Sequence, residues 1–419
     1  MGSRSNLFFA ILCSLKEKIS SYKATFNNHN YLIGSSFLHL MNDGFFVILY
    51  PLLPLIAREF NLPLFRVGIL RAAFSFSASF LQLPFALLSE KFWEMFLLVM
   101  GVGWVSTGLI AMGFTVTFVQ LILFSILSGL GGNIQHPVGS AFVSRIYDKK
   151  WRGSTIGVLN FSGDLGKIIF PLLISAILLS FDWRTCLIIL GSMGLLFSFS
   201  SGWIFRKKKD MPYQKEVIEY PTGNRWGITS PARFILMSLI GIIDGATRTV
   251  LLTFIPFLFL QKGIPASKTG FLLTILFTGG ALGKLGCGFF ADRLGNFKII
   301  LITEVLTGLS ILIFPSIQPT ILIPLLILCG FALNGTSTVL YKTIADLVTP
   351  ERRARGYGIF YSIYLGSEAF GPIIFGFIGD ALGLRWIFFI LAFITFLIIP
   401  LALPLRNTSH TDIFSAHFE

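Results

Sequence analysis

Between Met95 and Ser144 the chain has no Asp, Glu, Lys or Arg, and His136 is the only titratable residue in the run. A helix needs about 20 mostly apolar residues to cross the hydrocarbon core of a bilayer, so this run is long enough to cross twice. Val305 to Tyr341 repeats the feature, with no Asp, Glu, Lys, Arg or His and a natural break at Pro315-Ser316-Ile317-Gln318-Pro319. Soluble domains are about a quarter charged, whereas this chain is 13% charged and 54% hydrophobic. It lacks the polar surface to fold in water. Lipid offers backbone amides no partner, so the runs must close their own hydrogen bonds as helices.

Breaks at charges and at Pro/Gly turns predict spans near 31–57, 67–89, 95–113, 118–145, 153–179 and 184–205, then 233–260, 268–291, 298–315, 319–346, 356–379 and 384–405. The expected fold is an all-α integral membrane protein of twelve transmembrane helices in two six-helix halves. A 1–30 arm precedes the first half (31–205), a polar linker (206–232) joins it to the second (233–405), and a short tail (406–419) follows. The linker holds Arg206-Lys207-Lys208-Lys209 and reads as a solvated loop between the halves. Arg145, Lys149, Lys150 and Arg152 lie in the 4–5 connection, Arg293 and Lys298 in the 8–9 connection, and Arg352, Arg353 and Arg355 in the 10–11 connection. All fall on the side of both termini, which should therefore be cytoplasmic.

The same bias accounts for the net charge of +13 without nucleic acid. Cys13, Cys186, Cys287 and Cys329 have no metal-ligand spacing and read as free thiols. Met1-Gly2 lacks the Ser or Thr at position six that myristoylation wants, since Asn6 stands there. Leu7 to Cys13 is too short to span, and with Lys16, Lys18 and Lys23 reads as an interfacial arm. No phosphate-binding G-x-x-x-x-G-K-S/T loop occurs, which disfavours an ATP-driven pump. The glycosylation-like triplets at Asn334 and Asn407 read as chance, and minimal connections lean towards a bacterial inner membrane. No cofactor or metal site is expected.

The halves repeat. Leu88-Ser89-Glu90-Lys91 after the second span answers Phe290-Ala291-Asp292-Arg293 after the eighth, and Arg152-Gly153 answers Arg355-Gly356 at nearly the same offset. Transporters built of such repeats hold their substrate between the halves near the midplane. The stretch Gly288-Phe289-Phe290-Ala291-Asp292-Arg293-Leu294-Gly295-Asn296-Phe297-Lys298 resembles the loop signature G-x-x-x-D-R-x-G-R-K/R of the major facilitator superfamily, at its second occurrence. The first occurrence is degenerate, with Ala86, Glu90, Lys91 and Trp93 in place of Gly, Asp, Arg and Gly. The resemblance implies a gating role for Gly288, Asp292, Arg293 and Gly295, and for Glu90 and Lys91. His39-Leu40-Met41-Asn42-Asp43, His136-Pro137 with Ser140 and Ser144-Arg145, and Pro171-Leu172-Leu173 look like the fosmidomycin-resistance branch of drug exporters. Phe170 departs from that branch's Gly-Pro motif, while Gly371-Pro372 and Gly376 are kept in the eleventh span.

Ionisable groups at membrane depth cost several kcal/mol unless paired or hydrated, and mark function by default. His39 and Asp43 are four apart, Asp164 and Lys167 three apart, and Asp244 and Arg248 four apart, so each pair shares a helix face. A carboxylate whose solvation and cationic neighbours change as a cavity opens and closes can load and release a proton. Asp43, His39, Asp164 and Lys167 are the proton-coupling candidates. His136, Asn42, Asp244, Arg248 and Glu368 are the substrate candidates. Each pair could equally be an ion pair that fixes helix packing. Lys284, Glu304, Lys342 and Asp346 are placed near the cytoplasmic ends, snorkelling or bridging loops, and Arg66 and Arg71 at the outer end of the second span. The resulting expectation is a monomeric, proton-coupled exporter of a small organic, anionic or amphipathic compound. The alternative is a proton-coupled importer of a small anion, metabolite or siderophore. A non-transporting receptor would need a soluble signalling domain, and an enzyme a catalytic cluster that the sequence does not offer.

Overall fold

Each apolar run closes its own backbone hydrogen bonds, and the computed structural model is helical almost throughout the residues it describes, which are 29–89, 92–132, 134–147, 151–206, 227–349 and 353–406. The arm before His29, most of the central linker, the tail after Arg406 and the residues Glu90 and Lys91 lie outside them. Twelve helices follow in order: α1 His29–Glu59, α2 Leu64–Phe80, α3 Glu94–Gly113, α4 Phe118–Ile146, α5 Arg152–Ile177 and α6 Trp183–Phe205. The second half contains α7 Pro231–Gln261, α8 Ala266–Leu294, α9 Asn296–Ile313, α10 Leu322–Asp346, α11 Arg353–Leu382 and α12 Leu384–Leu405. Among the described residues, eleven of the predicted spans are helices long and apolar enough to cross a membrane, with ends moved by a few residues, and the second, 67–89, is divided between Leu64–Phe80 and Gln82–Leu88.

Local chemistry sets the breaks. Thr117 and Gln120 form a reciprocal capping box that starts α4, and Asp182 caps α6 through the Thr185 amide at 2.8 Å. Gly295 and Gly383 adopt φ of +89° and +100°, a conformation costly for other residues, and so single residues separate α8 from α9 and α11 from α12. Helix α1 loosens for one residue at Ile48, just before Pro51. Helix α2 is interrupted at Leu81 and resumes over Gln82–Leu88. In α4, Pro137 cannot donate to the ladder, and Gln135–Gly139 relaxes into a π-helical turn.

The halves meet chiefly at two seams, α2 against α11 and α5 against α8, with smaller contacts of the Leu49–Glu59 part of α1 against α7 and α8. Both seams rest on glycines that let backbones touch. A Cβ at Gly68 would lie 2.2 Å from the Pro372 carbonyl oxygen, one at Gly376 2.5 Å from that of Leu64, and one at Gly270 2.0 Å from that of Pro171. The Leu64 and Phe65 amides, at the start of α2, donate to the Asp380 carboxylate at 2.7 and 2.9 Å, a charge seated on a helix N-terminus. Phe271 N–H donates to Ser175 Oγ at 2.7 Å, and Thr274 Oγ1 to the Ile168 carbonyl at 2.9 Å. These bonds lie towards the face away from the termini. Side chains such as Phe76, Phe199, Trp203 and Phe377 are exposed on the outer surface, as lipid-facing groups must be.

Candidate functional site

Helix α5 approaches α1 closely because Gly166 sits over the Leu40 carbonyl and Gly163 over the His39 and Asp43 side chains; a Cβ at Gly163 would lie 2.5 Å from the His39 ring and 2.6 Å from Asp43 Oδ2. That contact sets Asp43, 2% exposed, against four neighbours. His39 Nε2 is 3.6 Å and His136 Nε2 3.5 Å from its Oδ1, Lys167 Nζ is 2.9 Å from its Oδ2, and the Asn42 amide donates to Oδ1 at 3.4 Å. Lys167 also lies 3.5 Å from Asp164, and Asp164 accepts a 2.6 Å bond from Lys284 of α8. The two sequence pairs are thus one ladder of alternating sign, Asp43–Lys167–Asp164–Lys284, which crosses the α5/α8 seam.

The pairs expected from spacing are not the tightest contacts. Lys167 is closer to Asp43 than to Asp164 three residues away, and Asp164 is closer to Lys284, 120 positions on. Lys284 is corrected from a snorkelling end residue to a mid-depth group tying the halves together. Its partner is on another helix, so no helical periodicity could find it. His136, with its side chain 45% exposed, is the most accessible member and packs edge-on to His39 with ring centroids 4.8 Å apart.

The second half builds a different cluster. Asp244, 1% exposed, accepts a 2.9 Å bond from the Tyr364 hydroxyl, and Arg248 lies 3.5 Å away. Arg248 makes shorter bonds to Asn334 Oδ1 at 2.6 Å and to the Leu333 carbonyl at 2.9 Å, both on α10. Asn334, set aside by the sequence as a chance glycosylation triplet, is therefore a positioning group inside the bundle. Glu304 of α9 is 1% exposed and lies in the electrostatic neighbourhood of Asp244 and Arg248. That corrects its placement near a loop, because an 18-residue α9 beginning at Asn296 carries Glu304 two turns into the bundle. Glu368 of α11 stands within electrostatic range of Arg248 and Asp244 of the second half and of Arg71 and Lys167 of the first.

Arg71 is also corrected. It is 1% exposed, its Nη2 donates to the Tyr50 hydroxyl at 2.8 Å, and its guanidinium lies 4.4 and 4.3 Å from the Phe46 and Tyr50 ring centroids. Phe170, where the branch pattern has Gly, packs edge-on to Phe45 above Gly44, so the missing glycine is compensated on α1. In the signature after α8, Asp292 pairs with Lys342 of α10, and Arg293 stacks over Phe289 with its Cζ 4.2 Å from the ring centroid. Both contacts stay within the second half. Among the described residues of the first half, Glu94 pairs with Arg145 across α3 and α4.

Two six-helix halves, joined along two seams and lined at mid-depth by opposed charges, define a multi-pass membrane carrier. The chain belongs to the major facilitator superfamily, whose family model matches residues 34–236 and 237–414. It is 22% identical over 384 residues to the fosmidomycin resistance protein of Escherichia coli, covering 90% of this chain and 93% of that one. It is 24% identical over 353 residues to a probable L-galactonate transporter of the same organism, covering 78% and 77%. Its fold matches the crystal structure of a bacterial homologue of the human lysosomal transporter Spinster, in an inward-facing and unoccupied conformation, with a TM-score of 0.73 at 16% identity, covering 90% and 96%. The family consists of transporters and not enzymes.

Proposed function

We propose that this carrier moves a small organic anion together with protons, by alternating access across a bacterial inner membrane with both termini in the cytoplasm. The carrying observation is the placement of Lys167, 2.9 Å from Asp43 and 3.5 Å from Asp164, with a quarter of its side chain exposed. A carboxylate that neutralises a cation competes with a substrate anion for that cation. Protonating the carboxylate frees the ammonium, so proton and anion favour each other's binding and travel in the same direction. With a membrane that is acid outside, that direction is inward. Arg248, held by Asn334 and the Leu333 carbonyl, offers the second half a fixed guanidinium suited to a carboxylate, phosphonate or sulfonate head.

Positive loops on the termini side support the cytoplasmic placement. Kinship with a fosmidomycin resistance protein favours a second reading, export in exchange for protons. Kinship with a probable galactonate transporter favours the first.

Liposomes containing a pH dye separate them. Sugar acids, aromatic carboxylates and phosphonates are added outside, and wild type is compared with Asp43→Asn and Asp164→Asn. Interior acidification on adding an anion, abolished by either variant, is the expected result. Alkalinisation would establish exchange instead. Movement of labelled anion without proton flux would return the ladder to a structural role.

A further inference from the structure

We infer that His39, Asp43 and His136 form a binding site for a first-row divalent transition-metal ion of the zinc class. One ligand atom from each residue comes within 4.8 Å of the other two. The two histidine Nε2 atoms stand 3.6 and 3.5 Å from Asp43 Oδ1. Zinc–nitrogen and zinc–oxygen bonds of about 2.0–2.2 Å place neighbouring tetrahedral ligands about 3.3–3.6 Å apart. Two of the three edges already fit, and the third closes by a small turn of His136, whose side chain is 45% exposed. That exposure is also the entry path from the space between the halves.

An independent observation points the same way. His39 is fully buried, and neither of its ring nitrogens comes within hydrogen-bond distance of a partner, Nε2 stopping 3.6 Å from Asp43 Oδ1. A buried imidazole normally has at least one such bond, and its Nε2 here faces Asp43 and His136. Two imidazoles and one carboxylate leave a fourth position open towards the cavity, as three-ligand zinc sites do.

Lys167 opposes the ion. It holds the other oxygen of Asp43 at 2.9 Å and must move towards Asp164, now 3.5 Å away, when metal arrives. No acceptor holds His39 Nδ1, so the site also lacks the outer support of tight structural sites. Both features argue for reversible, micromolar binding. The histidines are far apart in sequence and on different helices, which is why no metal-ligand spacing is visible there.

The test is calorimetric titration of the full-length chain, purified without a histidine tag, with zinc and with cobalt(II), the latter also read by its visible absorption bands. One equivalent is expected, with intense tetrahedral cobalt bands. His136→Gln should weaken binding at least tenfold, Lys167→Gln should tighten it about tenfold, and His29→Gln should leave it unchanged. No saturable binding by wild type, or equal binding by His136→Gln, overturns the site; His136 is exposed enough that its variant should fold even where His39→Gln does not. On the proton-cotransport reading, zinc would also block proton flux by occupying Asp43. Zinc binding that His136→Gln weakens, with flux insensitive to zinc, leaves the metal site standing and removes Asp43 from coupling.

Discussion

The two halves handle buried charge in contrasting ways. In the first, Asp43, Lys167 and Asp164 satisfy one another and reach across the seam to Lys284, so the charges are partners chiefly of other charges. In the second, Asp244 and Arg248 are held mainly by neutral groups, the Tyr364 hydroxyl, the Asn334 amide and the Leu333 carbonyl, all within the half. A charge held by neutral dipoles stays put when a proton arrives elsewhere. A charge held chiefly by other charges does not. On the proposed reading, the first half is the one that titrates and the second the one that holds still.

The sharpest way to break this contrast is to neutralise both aspartates. Asp43→Asn is expected to lower proton-coupled flux about a hundredfold, near 3 kcal/mol, because the amide cannot take up and release the proton that frees and re-engages Lys167. Asp244→Asn should cost only about tenfold, since its amide oxygen still accepts from Tyr364. Equal losses would sink the distinction. Arg248→Lys comes next, with about a tenfold rise in KM for the anion and little change in proton sensitivity, because an ammonium cannot reproduce the two-armed guanidinium geometry. A smaller effect is expected at the seam. Asp380→Asn weakens the cap on α2 by about 1 kcal/mol, shifting the balance of inward and outward states about fivefold, readable as spin-label distances across the outer face. The smallest is Asp182→Ala, a lost cap of about 1 kcal/mol at one end of α6, seen as a slightly lower melting temperature. Thr185, through its side chain and then its amide, holds the Asp182 carboxyl below its ordinary value of 3.8. That contribution is therefore full above about pH 4 and lost as pH falls through the lowered pKa. Wild type and variant should converge in acid.

The helices were legible because lipid removes every alternative: an unbroken apolar run has one way to satisfy its backbone. Partners on one helix were legible too, since His39 with Asp43 and Asp244 with Arg248 follow from spacing alone. What escaped depends on which helices touch. Lys284 meets Asp164, and Asn334 meets Arg248, only after α8 packs on α5 and α10 on α7. Arg71 escaped for another reason. Its principal neighbours are aromatic rings, which a reader hunting for opposite charges passes over, and the surplus of 45 Phe residues hides the few that matter.

The glycine-lined seams have a mechanical consequence. Where Gly68, Gly376 and Gly270 rest on carbonyl oxygens, main chain meets main chain with no side chain between them. At those points the joint can part and re-form without a rotamer having to unlock, much as a journal turns in a plain bearing. Roughening it with a single methyl at Gly68 or Gly270 should therefore act as friction, slowing the swing between states before it alters what the carrier binds.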